Sequence, residues 1–188
     1  MRTNACFNAR MGTDGTHLGP LQLAGERWVV GDDARPDAHW VELRPDGLHQ
    51  HAPDSEGRLI PWSRLMTGIR LTWGKHSWDT NSRGLYTWGG MVAGSDRGWL
   101  HMTLRHPYED DQLRFDRHAR PYRAVDVLRL ESLLRRLVDD GKPHLLGDPE
   151  WVGRAVAGLT GGKNSRLTQR SLRQAVTEAL ATAGPGTL

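Results

Sequence analysis

The sequence contains very little of several features that would narrow its class. One cysteine, Cys6, stands in a chain of 188 residues, so no internal disulfide can form and no dithiol redox chemistry is indicated. No run of 18 apolar residues occurs, which excludes a hydrophobic transmembrane helix. The first 15 residues hold no apolar stretch of signal-peptide length, so we expect a cytoplasmic location.

Lysine is also scarce, because 22 of the 25 basic residues are arginine. With 22 acidic residues the formal net charge is only +3, whereas strong non-specific nucleic-acid binding needs many unopposed cations. We therefore expect no nucleic-acid partner. Tryptophan is abundant by contrast, with eight copies against three tyrosines and two phenylalanines. Since tryptophan occurs both in protein cores and at recognition surfaces, this composition indicates a folded domain that acts as a binding module.

Alternation of polar and apolar residues predicts strands through the first two thirds of the chain. The clearest hairpin joins residues 39–44 to residues 48–51 through Pro45-Asp46-Gly47, an order that tight turns favour. A glycine-rich stretch, residues 74–98, interrupts the pattern, and a long loop inside a compact domain is often functional. Further strands are predicted at residues 26–30, 58–62, 66–73, 99–104 and 112–115.

Helical periodicity begins only after Pro121. Apolar residues at three- and four-residue spacing predict an amphipathic helix over residues 126–140, and two more helices are predicted at 148–156 and 165–181. Strands followed by helices exclude an alternating βαβ sheet. The expected class is α+β, mainly β: an antiparallel half-barrel or sandwich capped by the amphipathic helix, with a C-terminal helical extension.

The predicted organisation has three parts. Residues 1–24 are expected to form a flexible N-terminal tail, because they show neither helical nor alternating patterns. Residues 25–141 form the β domain with its capping helix, and residues 142–188 form the helical extension.

Three segments carry a resemblance to a known family. The hairpin VELRPDGL, the segment RLIPWSRLMTGIRL and the helix DVLRLESLLRRLV resemble a bacterial pleckstrin-homology-like (PH-like) domain, in which a C-terminal helix plugs a half-open barrel. The resemblance implies a non-catalytic scaffold that binds proteins or anionic head groups, with no catalytic residue and no cofactor. The glycine-rich insertion at residues 74–98 departs from the family pattern, so the family's ligand is not carried over.

The glycine-rich stretch is the first candidate binding surface. Aromatic side chains on a flexible loop can enclose a protein partner or a small ligand, and tryptophan and arginine are the residues most enriched at such contacts. The alternative is that Trp62, Trp73 and Trp99 belong to the core and the loop only packs against it, since tryptophan is mostly buried. The candidate contact residues are Trp78, Arg83, Trp88 and Arg97.

The third predicted helix offers a second candidate surface. Arg166, Arg170 and Arg173 share one face at spacings of four and three residues, while apolar residues occupy another face. Such a helix can dock by its apolar face and present arginines to phosphates or acidic partners. The pattern indicates either a membrane-surface adaptor that binds anionic lipid or the solvated face of an ordinary amphipathic helix.

Nine histidines keep a metal site open as an alternative. His49 and His51 face the same side of one predicted strand because strand side chains repeat every two residues, and Glu56 follows five positions later. This spacing is similar to the ligands of metal-binding cupin barrels, although Leu43 and Ser63 stand where that pattern has glycine. The alternatives are therefore a small metal-dependent barrel enzyme and solvated histidines. A serine nucleophile elbow and a phosphate loop of consensus spacing are both absent from the sequence.

Overall fold

Two antiparallel sheets, a two-stranded ribbon and three α-helices make up the part of the chain that a computed structural model describes. The described residues are 16–74, 86–88, 90–93, 96–161 and 168–186. The class is α+β, mainly β, with strands preceding helices, so the predicted fold class and order of elements are confirmed. The PH-like resemblance stays a prediction.

The first sheet is a meander of six strands that are neighbours in chain order. The connection Pro45-Asp46 is a two-residue turn, so Arg44 pairs with Gly47 and Glu42 pairs with His49. Alternation along these strands sends apolar residues to the core and polar residues outward. The strands are β1 His17–Leu18, β2 Leu21–Ala24, β3 Arg27–Val30, β4 Trp40–Arg44, β5 Gly47–His51 and β6 Arg58–Pro61.

The second sheet has three strands in the order β11, β10, β7. An isolated bridge pairs Leu65, in the connection between β6 and β7, with Leu104 of β10. The amide of Asp116 donates to the carbonyl of His39, just before β4, at 2.7 Å. The strands after β6 are β7 Arg70–Trp73, β8 Tyr86–Trp88, β9 Met91–Ala93, β10 Arg97–Leu104 and β11 Glu109–Asp116, where β8 and β9 form the ribbon.

Helices α1 Ala124–Asp139 and α2 Pro149–Thr160 pack on the sheets, and α3 Gln169–Ala183 packs on these two helices. Leucines of α1 recur at helical spacing, and the stripe is fully buried in one core with both sheets. The Asp148 side chain caps α2 by accepting from the Trp151 amide at 3.0 Å, and Thr168 caps α3. Across the described residues, the helices are too short or too polar for any of them to cross a membrane.

Residues 17–24 belong to the first sheet and not to a tail. Leu18 and Leu21 are fully buried, and β2 pairs with β3 along its whole length. Strands of two and four residues are too short to show alternation, which is why the sequence pattern missed them. Residues 1–15, the rest of the predicted tail, lie outside the described residues.

The helices of the C-terminal extension share the core of the β domain. Trp151 of α2 is 1% exposed and lies in the same apolar cluster as both sheets. The indole of Trp28 on β3 donates to the Pro149 carbonyl at 2.9 Å. A short 3-10 helix, Pro143–Gly147, links α1 to α2 and brings these residues back to the sheet.

Candidate functional site

A group of candidate ligand atoms lies on the outward face of hairpin β4–β5. We name the side chains of Glu42, His49 and His51 the sheet-face cluster; one ligand atom of each lies within 4.8 Å of the other two. His51 Nε2 is 2.9 Å from Glu42 Oε2 and 3.0 Å from His49 Nδ1. The cluster faces outward because Val41, Leu43 and Leu48, which alternate with its members, point into the core.

The two short contacts compete for one nitrogen. An imidazole nitrogen carries either one hydrogen or one lone pair in the ring plane, never both. His51 Nε2 can therefore make a good hydrogen bond to Glu42 or to His49 but not to both, whichever tautomer is present. The three atoms bring together more lone pairs than the available hydrogens can satisfy. A cation that accepts all three lone pairs would resolve the conflict.

Neighbouring residues hold the cluster in place. The Trp40 ring stacks on His51 with ring centroids 3.6 Å apart and planes 7° from parallel. In the connection just before β6, a Cβ at Gly57 would come within 2.8 Å of His49 Cε1, and Gly57 has a φ of +81°. Only glycine leaves both the turn and the His49 ring undisturbed.

The electrostatic surroundings favour neutral His49. Partial burial lowers the pKa of His49 below 6.5, and the neighbouring His51 and Arg44 lower it further. A neutral imidazole keeps a lone pair for a metal ion at neutral pH. The side chains of Glu42 and His51 are 17% and 31% exposed, so solvent and small ligands can reach the cluster.

Two of the three separations between ligand atoms are compatible with the coordination sphere of a transition metal. Bonds of about 2.0 to 2.1 Å at angles near 90° separate adjacent ligand atoms by about 2.9 Å, and tetrahedral angles separate them by about 3.4 Å. The observed separations of 2.9 and 3.0 Å are close to the first value. Two imidazoles with one carboxylate suit zinc, iron, nickel or copper better than magnesium or calcium.

The structure changes the acidic member of the predicted metal set. Glu56 is exposed in the turn between β5 and β6 and is not part of the group of candidate ligands. Glu42 takes that place because the two-residue turn sets it directly opposite His49. The Pro45-Asp46 turn fixes this register. The sequence therefore contains the information that places Glu42 beside His49, although spacing along a single strand does not reveal it.

The residues predicted on the glycine-rich stretch are not brought together within the described chain. Trp78 and Arg83 lie outside the described residues, and the backbone of Trp88 lies in β8. Arg97 is exposed at the start of β10, opposite Asp116 in the register. Of the tryptophans expected in the core, Trp62 and Trp73 are each 6% exposed, whereas Trp99 is half-buried.

The predicted arginine face of the third helix is partly described. Arg170 and Arg173 are exposed on α3, and Arg173 Nη2 donates to Gln169 Oε1 at 3.3 Å, whereas Arg166 lies outside the described residues. The apolar face of α3 packs on this chain itself: Val176 and Ala179 are buried, and Ala179 contacts the α2 backbone region at Gly158.

A second polar group surrounds the buried ring of Tyr122. We name Trp73, Arg117, His118, Arg120 and Tyr122 the Tyr122 cluster. Both guanidinium carbons lie 5.0 Å from the centre of the Tyr122 ring, as in cation–π contacts. The Tyr122 hydroxyl accepts from the His118 amide at 2.9 Å and lies 2.6 Å from His118 Nδ1. Its aromatic rings and guanidinium groups enclose each other, which indicates a structural role.

Comparisons with protein-family models, with curated proteins and with solved structures find no match, so the functional argument rests on the residues of this chain.

Proposed function

We propose that this chain is a metal-binding domain whose sheet-face cluster holds one divalent transition-metal ion. One observation carries the proposal: His51 Nε2 has two contacts, of 2.9 and 3.0 Å, and can satisfy only one of them without a cation. A metal ion that bonds to Glu42, His49 and His51 would use all three lone pairs at once.

The donor set leaves part of the coordination sphere open. Three protein ligands are typical of sites where water or a bound molecule completes the sphere, whereas structural zinc sites have four. The partial exposure of His51 gives such a molecule access. The proposal thus extends the binding module expected from the sequence, and the PH-like scaffold, the protein or small-ligand partner and the cytoplasmic location remain predictions beside it.

The test begins with tag-free protein, because a polyhistidine tag would bind the same metals. Metal content is measured by plasma mass spectrometry. The metal is then removed with a chelator, and the metal-free protein is titrated calorimetrically with Zn²⁺, Ni²⁺, Co²⁺ and Mg²⁺. We expect one ion per chain for the transition metals and no measurable Mg²⁺ binding. His51→Ala should lower metal affinity about a hundredfold or more, since mutation of residues that only hydrogen-bond to metal ligands already costs about tenfold to a hundredfold in affinity.

Matched variants separate this site from general histidine binding. Glu42→Gln and His49→Ala should lose affinity as His51→Ala does. His144→Ala removes an exposed histidine from the 3-10 helix Pro143–Gly147, and Glu56→Gln removes the carboxylate that the spacing along the strand suggested; neither should change affinity. The absence of stoichiometric binding in the wild type would contradict the proposal, and so would a loss in Glu56→Gln with none in Glu42→Gln.

A further inference from the structure

An arginine stands beside the sheet-face cluster at a distance that suits a shared ligand. Arg27 Nη1 is 3.9 Å from Glu42 Oε2. An ion bonded to that oxygen at about 2.1 Å therefore lies no more than about 6 Å from the guanidinium. A carboxylate with one oxygen on the metal and the other on the guanidinium can span this separation.

The surroundings orient Arg27 without using up its hydrogen-bond donors. Its guanidinium carbon lies 5.0 Å from the centre of the Trp40 ring, the ring that also stacks on His51. Its other nitrogen is 3.9 Å from Asp33, and the Gln22 side chain donates to Asp33 at 3.0 Å. Both contacts of Arg27 to carboxylates are longer than hydrogen bonds, so a ligand can form shorter ones.

The charge of the loaded site favours an anion. A divalent ion on Glu42 and two neutral imidazoles leaves one positive charge, and the guanidinium of Arg27 adds a second, opposed by Asp33. Arg27 has 48% of its side chain exposed, so the guanidinium is available on the solvent side. A planar fork of N–H donors suits a carboxylate better than it suits a neutral ligand.

We propose that the open side of the metal site binds a carboxylate group, with one oxygen on the ion and the other on Arg27. This inference rests on the proposed metal site. The carboxylate belongs either to a small organic acid or to an aspartate or glutamate side chain of a partner, and both present the same group.

The experiment compares an anionic and a neutral ligand on the cobalt-loaded full chain. Acetate and imidazole are titrated separately while the visible absorption of Co²⁺ is followed, since both ligands bind at an open coordination position. Arg27→Gln should weaken acetate binding about tenfold, the loss expected for one charge-assisted contact, and leave imidazole binding unchanged. The acetate affinity of Arg27→Lys should lie between those of the wild type and Arg27→Gln, because an ammonium group keeps the charge but lacks the planar fork of N–H donors.

A matched control and a second probe complete the test. Arg136→Gln removes an arginine that is 55% exposed on α1 and should leave acetate binding unchanged. Succinate and a short glutamate-containing peptide then distinguish a free acid from a protein side chain as the tighter ligand. Equal acetate binding in Arg27→Gln and wild type would overturn this inference while cobalt loading still supports the metal site; a failure to load cobalt would overturn both.

Discussion

The sheet-face cluster and the Tyr122 cluster both place a histidine beside an oxygen, but they differ in the number of partners per ring nitrogen. His118 Nδ1 has one short contact, to the Tyr122 hydroxyl at 2.6 Å, and the hydroxyl can donate its hydrogen to this nitrogen. His51 Nε2 has two short contacts and one hydrogen at most. Two short contacts that compete for one hydrogen at the same nitrogen therefore set the sheet-face cluster apart from the single contact at His118 Nδ1.

The two clusters also differ in how far they are exposed to solvent. Tyr122 is 1% exposed, and burial lowers the pKa of His118 to about 4, so this ring is neutral at pH 7. The nearby carboxylates of Asp32 and Asp33 only partly oppose that effect. The sheet-face cluster is open to solvent on one side. His118 Nε2 is itself buried without a hydrogen-bond partner among the described residues, so an unpaired nitrogen alone does not make a binding site. The sheet-face cluster differs because solvent reaches it and three candidate ligand atoms lie together there.

The largest effect that would sharpen this contrast is expected for Gly57→Ala. The new Cβ would lie 2.5 Å from the Gln50 carbonyl at a φ of +81°, so the turn must shift and His49 with it. We expect the free energy of unfolding to fall by about 3 kcal/mol, measured by urea denaturation, and metal binding to weaken.

Gly25→Ala is the control for that change. Gly25 also has a positive φ, of +65°, but no atom lies within 4 Å of the position that its new Cβ would take. The loss should be about 1 kcal/mol, with metal binding intact. Equal losses in the two variants would show that the contact of Gly57 with His49 and Gln50 is unimportant.

Tyr122→Phe addresses the enclosed side of the comparison. It removes the acceptor of the part-buried His118 amide and the partner of His118 Nδ1. We expect a loss of about 2 kcal/mol in the free energy of unfolding, because an unsatisfied buried polar group keeps its desolvation cost. Metal affinity should not change.

Tyr108→Phe, at a tyrosine that is 71% exposed, should leave stability unchanged and serves as the matched variant. If Tyr122→Phe lowered metal affinity while the fold stayed intact, the separation of the two clusters would be wrong.

Acid should weaken metal binding at the sheet-face cluster. Metal ions need imidazole nitrogens without hydrogens, and the pKa of His49 lies below 6.5, so competition by protons on His49 sets in only below that pH. Calorimetric titration with Zn²⁺ should show affinity falling about tenfold between pH 7.5 and 5.5. An affinity that rises toward acid pH would exclude histidine ligands.

The smallest expected effect concerns stability and His118. With a pKa near 4 in the folded state against an ordinary 6.5, the unfolded chain binds more protons between these values. The contribution of His118 is complete above pH 6.5 and is lost as pH falls toward 4. His118→Gln should flatten that part of a plot of melting temperature against pH; an unchanged slope would contradict the role of burial.

The hairpin β4–β5 and helix α1 could be predicted from sequence because their signals are local. The Pro45-Asp46-Gly47 turn and the alternating residues beside it define the hairpin, and the leucine stripe defines the helix. Residues 17–24 could not be recognised because two- and four-residue strands carry too little pattern.

The candidate site could be predicted in part. His49 and His51 share a strand, so their common face follows from a period of two. Glu42 lies on the neighbouring strand, and its place in the cluster depends on pairing, whereas Glu56 was closer to His51 along the chain. Arg27 and Trp40 were not recognised because their relation to the cluster runs across three strands and exists only after the sheet has formed.

The hydrogen bond from Trp28 to the Pro149 carbonyl has a consequence for synthesis of the protein. It joins residues that are 121 positions apart, so the third strand stays without this partner until the ribosome has completed α2. Contacts of such long sequence separation slow folding, and exposed early strands favour aggregation. The first sheet therefore reaches its final packing only after residue 149 has been synthesised, and ribosome-bound fragments that end before residue 149 should remain sensitive to protease in the first sheet.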